Sequence, residues 1–278
     1  MLKDLKVSVI IAAFNEERNI GACLKTILDQ SYQNTEVIVV DDGSTDQTIK
    51  IVEQFPIKLF RLSHRGAAKT RNYAADKASG DLLVFVDADM TFSRNFIREL
   101  VQPILAGKYK GTFSKEEYIS NWDNIWSRCW NFNQNWPKQK MIPGDYPEEG
   151  FDFRAILKEE FIRVSGFDDV GYTDTWTLFK KLGYKPHVAK GAKYFHTNPD
   201  NLTEVFIQAK WTSKREYKLG FIGKIVALTR ASLPISLIAG LYKAIQYQEP
   251  RFLVFKTIYD LGIFIGIIEF LATGKTSK

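Results

Sequence analysis

Leu82-Leu83-Val84-Phe85-Val86-Asp87-Ala88-Asp89 is an unbroken apolar run that ends in two carboxylates one residue apart. A short run with no polar alternation reads as a strand buried on both faces, the usual state of a parallel sheet. Val7-Ser8-Val9-Ile10-Ile11 and Val37-Ile38-Val39-Val40 have the same character. Strands are expected at 7–11, 36–40, 57–62 and 82–86, and helices at 17–30, 46–54, 67–78 and 94–106. This alternation predicts right-handed crossovers and an α/β fold, a Rossmann-like, mostly parallel sheet flanked by helices. In such sheets the ligand crevice lies at the carboxyl ends of the strands.

The residues at those ends carry the chemistry. The first strand runs into Ala13-Phe14-Asn15-Glu16, the second into Asp41-Asp42-Gly43-Ser44-Thr45-Asp46, and the fourth into Asp87-Ala88-Asp89. Ser44, Thr45 and Ser93 suit helix N-caps. Capping does not explain paired aspartates at the ends of two apolar strands. Two carboxylates so spaced can turn toward one divalent cation, and hard oxygen ligands suit Mn²⁺ or Mg²⁺. Such an ion keeps open positions that a diphosphate can fill.

Composition sets the limits. The chain has 278 residues, 45% hydrophobic and 25% charged, enough for one large α/β domain with an appendage. The net charge of +6 is uneven: residues 205–278 hold 11 Lys/Arg against 4 Asp/Glu. Two cysteines, Cys23 and Cys129, make neither a disulfide framework nor a zinc spacing, which fits a reducing compartment. Val7 to Ile11 is flanked by polar residues and reads as a strand rather than a signal peptide.

The chain resembles glycosyltransferase family 2, with the glycosyltransferase A fold. The resemblance covers about residues 7–215 and rests on five pieces in order. They are Val7 to Glu16; Val39-Val40-Asp41-Asp42-Gly43-Ser44-Thr45-Asp46; Gly66 with Arg71-Asn72; Ala78-Ser79-Gly80-Asp81; and Phe85-Val86-Asp87-Ala88-Asp89. It implies an inverting transferase that uses a UDP- or GDP-sugar. Ala13, Asn15 and Glu16 would line the nucleotide pocket, and Asp41 or Asp42 would accept a hydrogen bond from the base. Gly66 would let the backbone approach the nucleotide, and Arg71 would offset local acidic charge. Asp87 would face the ribose or the metal, Asp89 would bind the metal, and His196 would complete the metal site. The family's Glu-Asp-x-Asp element is altered: Gly171 and Tyr172 stand where Glu-Asp is usual, and Asp174 is kept. Asp174 is then the base for the acceptor hydroxyl, or the acceptor is a phosphate that needs little base help. Asp168 and Asp169 are weaker candidates.

Trp122, Trp126 and Trp130 recur at helical spacing, which predicts one packed face. Farther on, Leu219–Ala231, Leu233–Ile245 and Phe252–Ala272 are apolar stretches separated by turns. The last has the length of a membrane span but contains Lys256, Asp260 and Glu269. The expected division is a catalytic domain at 1–215 and membrane-associating helices at 216–278. These would lie on the cytoplasmic face of a membrane, peripheral or monotopic, or form a shallow hairpin. A lipid-phosphate or glycan acceptor follows. Nucleic acid is not expected, because the basic residues are scattered through apolar sequence. Ala12-Ala13-Phe14-Asn15-Glu16 lacks the Gly- and Arg-bearing loop that a sugar-phosphate nucleotidyltransferase needs.

Overall fold

A computed structural model describes residues 4–170, 175–215, 217 and 219–274. They form two compact units. The first draws on Met1–Tyr118, Ile142–Asp169 and Thr173–His196; the second is built mainly from Ile119–Met141 and Thr197–Lys278.

In chain order the strands are β1 Val7–Ala13, β2 Thr35–Asp41, β3 Lys58–Arg61, β4 Leu82–Asp87, β5 Met90–Phe92, β6 Gly111–Phe113, β7 Glu117–Ile119, β8 Ala155–Leu157, β9 His187–Val188 and β10 Tyr194–His196. The helices of the first unit are α1 Ile20–Leu28, α2 Thr48–Val52, α3 Ala67–Lys77, α4 Phe96–Leu105, α6 Lys158–Arg163 and α7 Thr175–Leu182. Those of the second are α5 Ile125–Gln134, α8 Leu202–Ser213, α9 Gly220–Arg230, α10 Leu233–Gln246 and α11 Arg251–Thr273.

A seven-stranded sheet runs in the order β3-β2-β1-β4-β8-β6-β9. β3, β2, β1 and β4 are mutually parallel, and β8 joins β4 antiparallel. The fold is thus the α/β arrangement expected. The apolar runs divide by parity. Val7, Val9, Ile11, Val37, Val39, Leu82, Val84 and Val86 enter one buried cluster. Ile10, Ile38, Val40, Leu83 and Phe85 enter the other. Both faces are covered, which is why these strands show no polar alternation. A smaller sheet, β5-β10-β7, was not foreseen; its strands of three residues each are too short for a periodic signal. It matters because β10 ends in His196.

The second unit is helical. Its core joins Cys129 and Trp130 of α5 to Val205 of α8, Ala244 of α10, and Phe252 and Phe255 of α11. α11 lies tight on α8 at two glycines: a Cβ at Gly266 would sit 2.4 Å from the Lys210 carbonyl, and one at Gly262 would sit 2.6 Å from that of Phe206. Of the tryptophan stripe, Trp126 and Trp130 pack on the helical core and Trp122 does not join them. Asn124 caps α5 by accepting from the Trp126 and Ser127 amides, so the helix starts after Trp122. Only Trp130 is fully buried. Among the described residues no single helix is long and apolar enough to cross a membrane, but α9 and α10 form an apolar pair bent by 62°.

Candidate active site

The carboxyl ends of β1, β2 and β4 meet, as parallel registry demands: Ala13 pairs with Asp41, and Ala12 with Asp87. The loops that follow are stitched together. Asn15 adopts a left-handed conformation (φ 56°). Its side-chain oxygen accepts from the Thr45 amide at 2.8 Å, and its own amide donates to Ser44 Oγ at 2.9 Å. Ser44 therefore binds across to the first loop and does not cap a helix. Ala13 buries its methyl in the core, and its carbonyl accepts from the Asp42 amide. What it offers a ligand is backbone.

The two aspartates of the second loop differ. Asp42 uses both oxygens, accepting from the Arg65 and Gly66 amides at 2.8 and 2.9 Å, with His64 Nδ1 3.0 Å away. Asp41 accepts from the Gly43 and Ser44 amides through Oδ2, while its buried Oδ1 has no partner. Gly43 has φ 87°, and a Cβ there would sit 3.0 Å from the His64 nitrogen, so this turn requires glycine. Gly66, also at positive φ, opens α3 and ties its amide to Asp42.

Asp87 lies between two guanidinium groups: Arg71 Nη2 is 2.8 Å from Oδ1, and Arg154 Nη1 is 3.2 Å from Oδ2. Burial opposes its charge, but Arg154 and Arg71 outweigh burial and hold the carboxyl well below the usual range. Asp89 points elsewhere. Its Oδ2 meets His196 Nε2 at 2.9 Å, and His196 Nδ1 meets Glu117 Oε1 at 3.0 Å. Burial disfavours charge on the imidazole, yet Asp89 and Glu117 raise its pKa well above the ordinary value. Asp89 Oδ1 is buried without a partner. Glu16 faces the same carboxylates, and burial together with Asp89 raises its pKa to about 7.

Asn15, Glu16, Asp41, Asp42, Gly66, Arg71, Asp87, Asp89 and His196 thus all belong to this one edge of the first unit. Asp174 lies outside the described residues. Asp168 pairs with Lys181 and Asp169 with Lys69, both at 2.7 Å. Two residues escaped the sequence reading. Glu117 and Arg154 stand in the irregular 107–165 region, and neither belongs to a periodic pattern. Arg154 also lies over the Tyr194 ring, 5.2 Å from its centre.

Among the described residues no three His, Cys, Asp or Glu side chains are gathered as a ready metal cage. A divalent ion fits the donor chemistry at one point: Asp89 Oδ1, beside Glu16, is a buried carboxylate oxygen without a hydrogen-bond partner, while Oδ2 is held by the His196 imidazole.

The family model described as glycosyl transferase family 2 matches residues 8–165. UDP-Glc:alpha-D-GlcNAc-diphosphoundecaprenol beta-1,3-glucosyltransferase WfgD of Escherichia coli is 32% identical over 124 residues, 43% of this chain and 49% of that one. The chain spans less than half the length of the curated relatives it matches. Staphylococcus aureus TarS 1–349 in complex with UDP-GlcNAc superposes with a TM-score of 0.58 at 17% identity, over 98% of this chain and 93% of that one. Mannosyltransferase PcManGT from Pyrobaculum calidifontis, in complex with GDP-Man and Mn²⁺, gives 0.56 at 19%, over 98% and 88%. At these identities the structural likeness speaks to the fold. The family match covers more than half of the chain and the fold agrees with it, so the chain belongs to glycosyl transferase family 2, with the glycosyltransferase A fold.

Proposed function

We propose that the chain transfers a hexosyl group, with inversion, from a UDP- or GDP-sugar to a lipid-linked phosphate or glycan acceptor. The observation that carries the reading is that two of the three buried carboxylate oxygens without partners among the described residues, Asp41 Oδ1 and Asp89 Oδ1, stand together at the carboxyl ends of β2 and β4. An unpaired buried acceptor is costly unless a ligand satisfies it. Asp41 Oδ1 suits the N–H of a nucleobase, and the fully used Asp42 serves to shape the loop. Asp89 and His196 would hold Mn²⁺ or Mg²⁺, with the remaining positions left to the diphosphate and water. When bound, the ion supplies charge neutralisation for the departing nucleoside diphosphate. Arg71 and Arg154 neutralise Asp87, which keeps that carboxylate ionised and fixed beside the donor. Asp174 is assigned as the base, unless the acceptor is itself an ionised phosphate.

The same reading places the chain on a membrane. Large apolar side chains stand exposed on three successive helices: Phe221 and Ile222 on α9, Ile238 and Ile245 on α10, and Ile268 on α11. The charges that argued against burying α11 are matched within the unit. Lys256 pairs with Asp260, and Glu269 with Lys210 and Lys214. An extended apolar surface combined with a basic excess suits helices lying in an anionic interface. The cytoplasmic face agrees with two free, buried cysteines.

The test is to incubate purified protein with UDP- and GDP-sugars, Mn²⁺ and a short polyprenyl phosphate, with Asp89→Ala as control. Metal-dependent transfer to the lipid that is lost in the control supports the full reading. Donor hydrolysis without lipid transfer shifts the acceptor to a glycan. Nucleotide binding with no turnover of any donor overturns the enzymatic reading in favour of a non-catalytic nucleotide-sugar binder.

A further inference from the structure

Trp122 and Trp136 flank α5 in sequence, one just before it and one just after. With Phe132 of α5 and Tyr247 they line an open groove of about 630 Å³ whose walls all come from the second unit. The remaining walls are charged: Arg128, Lys138 and Asp123.

The aromatic frame is fixed by its own contacts. Phe132 and Tyr247 stack at 4.2 Å with planes 4° apart, so each covers one face of the other. Trp122 meets Phe132 edge-on at 6.0 Å and 87°. Lys243 Nζ, donating to the Phe132 and Asn133 carbonyls at 2.7 and 2.9 Å, ties the end of α5 to α10. Arg128 Nη1 donates to the Trp122 and Asp123 carbonyls at 3.1 and 3.0 Å, which holds the entering chain. Phe132, Tyr247, Trp122 and Arg128 are thus held in place before a ligand arrives.

Part of the arrangement is ordinary packing, since Phe132 and Trp136 also touch the helical core. Packing does not explain the cations. Among the described residues Lys138 makes no hydrogen bond or ion pair, and neither Trp122 nor Trp136 has a ring stacked on its face. The groove thus offers two half-exposed indoles, two cations and a single carboxylate. Such walls suit a ring with an apolar face, hydroxyls at its edge and a negative group attached.

We infer that this groove binds an anionic saccharide, a sugar ring carrying a phosphate, with the ring against Trp122 and Trp136 and the phosphate on Arg128 and Lys138. Asp123 accepts from sugar hydroxyls, and Phe132 and Tyr247 form the fixed floor. The choice of a saccharide over another planar anion rests on the glycosyl-transfer reading. The site itself is measured by binding, without turnover. The phosphate sugar can arrive free, as part of a soluble glycan, or as the head of a membrane lipid.

The experiment is calorimetric titration of the full chain with glucose 1-phosphate, neutral methyl glucoside and UMP. A parallel arm measures partition onto neutral phosphatidylcholine vesicles with and without a polyprenyl phosphate sugar. Saturable binding of glucose 1-phosphate is expected, with methyl glucoside about tenfold weaker. Lys138→Ala and Trp136→Ala should each weaken it by about tenfold, while Trp136→Phe retains most of the affinity. Asp89→Ala should leave this binding unchanged, which separates the groove from the donor site even if no transfer reaction is ever found. Circular dichroism shows whether each variant is folded. A preference for the lipid-linked form assigns the groove to a lipid head group, and equal binding of the free sugar assigns it to a soluble glycan; both support the site. The inference is overturned if neither form binds, if methyl glucoside or UMP binds as well as glucose 1-phosphate, or if Asp89→Ala removes binding that folded Lys138→Ala and Trp136→Ala retain.

Discussion

The edge of the first unit and the long helix of the second handle charge in opposite ways. At the sheet edge the four acids Glu16, Asp87, Asp89 and Glu117 face three basic side chains, Arg71, Arg154 and His196, so the acids are in excess. Along α11 each acid has a cation beside it, Lys256 for Asp260 at 2.7 Å and two lysines for Glu269, although Asp260 also keeps one buried oxygen, Oδ2, without a hydrogen-bond partner. What α11 leaves outward is apolar, including Val254, Leu261, Phe264, Ile268 and Leu271. Concentrated, unbalanced charge marks a place built for a ligand, whereas locally cancelled charge frees a surface to be hydrophobic.

Asp89→Ala should break the first half of this contrast most severely. Donor turnover is expected to fall by about 10² or more, since a group aimed at developing charge is removed from a preorganised site. Steady-state kinetics should place the loss in kcat. For Asp41→Asn the loss should fall mainly in KM. Asp89→Ala should lower the urea midpoint less than a core substitution does, because His196 keeps Glu117 as a partner. A fall as large as that of a core substitution would mean that the cluster is structural.

Within α11 the matched charges should matter to stability instead. Lys256→Met leaves Asp260 buried and unpaired, at a cost of about 3 kcal/mol in urea unfolding. Replacing both members, Lys256→Met with Asp260→Leu, should return to within about 1 kcal/mol of the parent. If the single and double variants are equally destabilised, the pair is not the compensated unit described.

A smaller effect tests the support of the first unit away from its charged edge. Glu36 is half-buried, which alone would raise its pKa, but hydrogen bonds from Lys58, Ser8 and Ser79 outweigh burial and lower it from 4.5 to about 2. A folded-state pKa below the unfolded one contributes stability that is complete above about 4.5 and is lost as pH falls toward about 2. The contribution is about 1–2 kcal/mol. Glu36→Gln should flatten the stability profile across that window, and an unchanged acid slope would remove Glu36 from the account.

The mildest changes should come from the apolar face. Ile238 and Ile245 are each 71% exposed. Changing both to glutamate should leave thermal unfolding within about 0.5 kcal/mol of the parent while reducing sedimentation with anionic vesicles several-fold. Unchanged vesicle binding, with a shift from dimer to monomer in solution, would assign the face to a second copy of the chain.

Much of the catalytic edge was legible because its signals are local. Apolar runs of four or five residues specified doubly buried strands, and the polar residues directly after them had to emerge at one sheet edge once the strands were parallel. The tryptophan stripe loses its first member for an equally local reason: the spacing is helical, but Asn124 starts the helix after Trp122.

The amino-acid sequence by itself determined the parallel sheet, the edge that carries the acids, the three apolar helices after residue 219 and the family. Tertiary structure alone decided which acids are used up and which remain open. It separated Asp41 from Asp42, clamped Asp87 between Arg71 and Arg154, and brought Glu117, His196 and Asp89 into one hydrogen-bonded line. The physical reason is range. Strand and helix patterns repeat over a few residues, whereas His196 lies 107 residues from Asp89 and 79 from Glu117, and Arg154 lies 67 from Asp87. Burial and pairing at such separations are properties of the packed chain, and no window of sequence contains them.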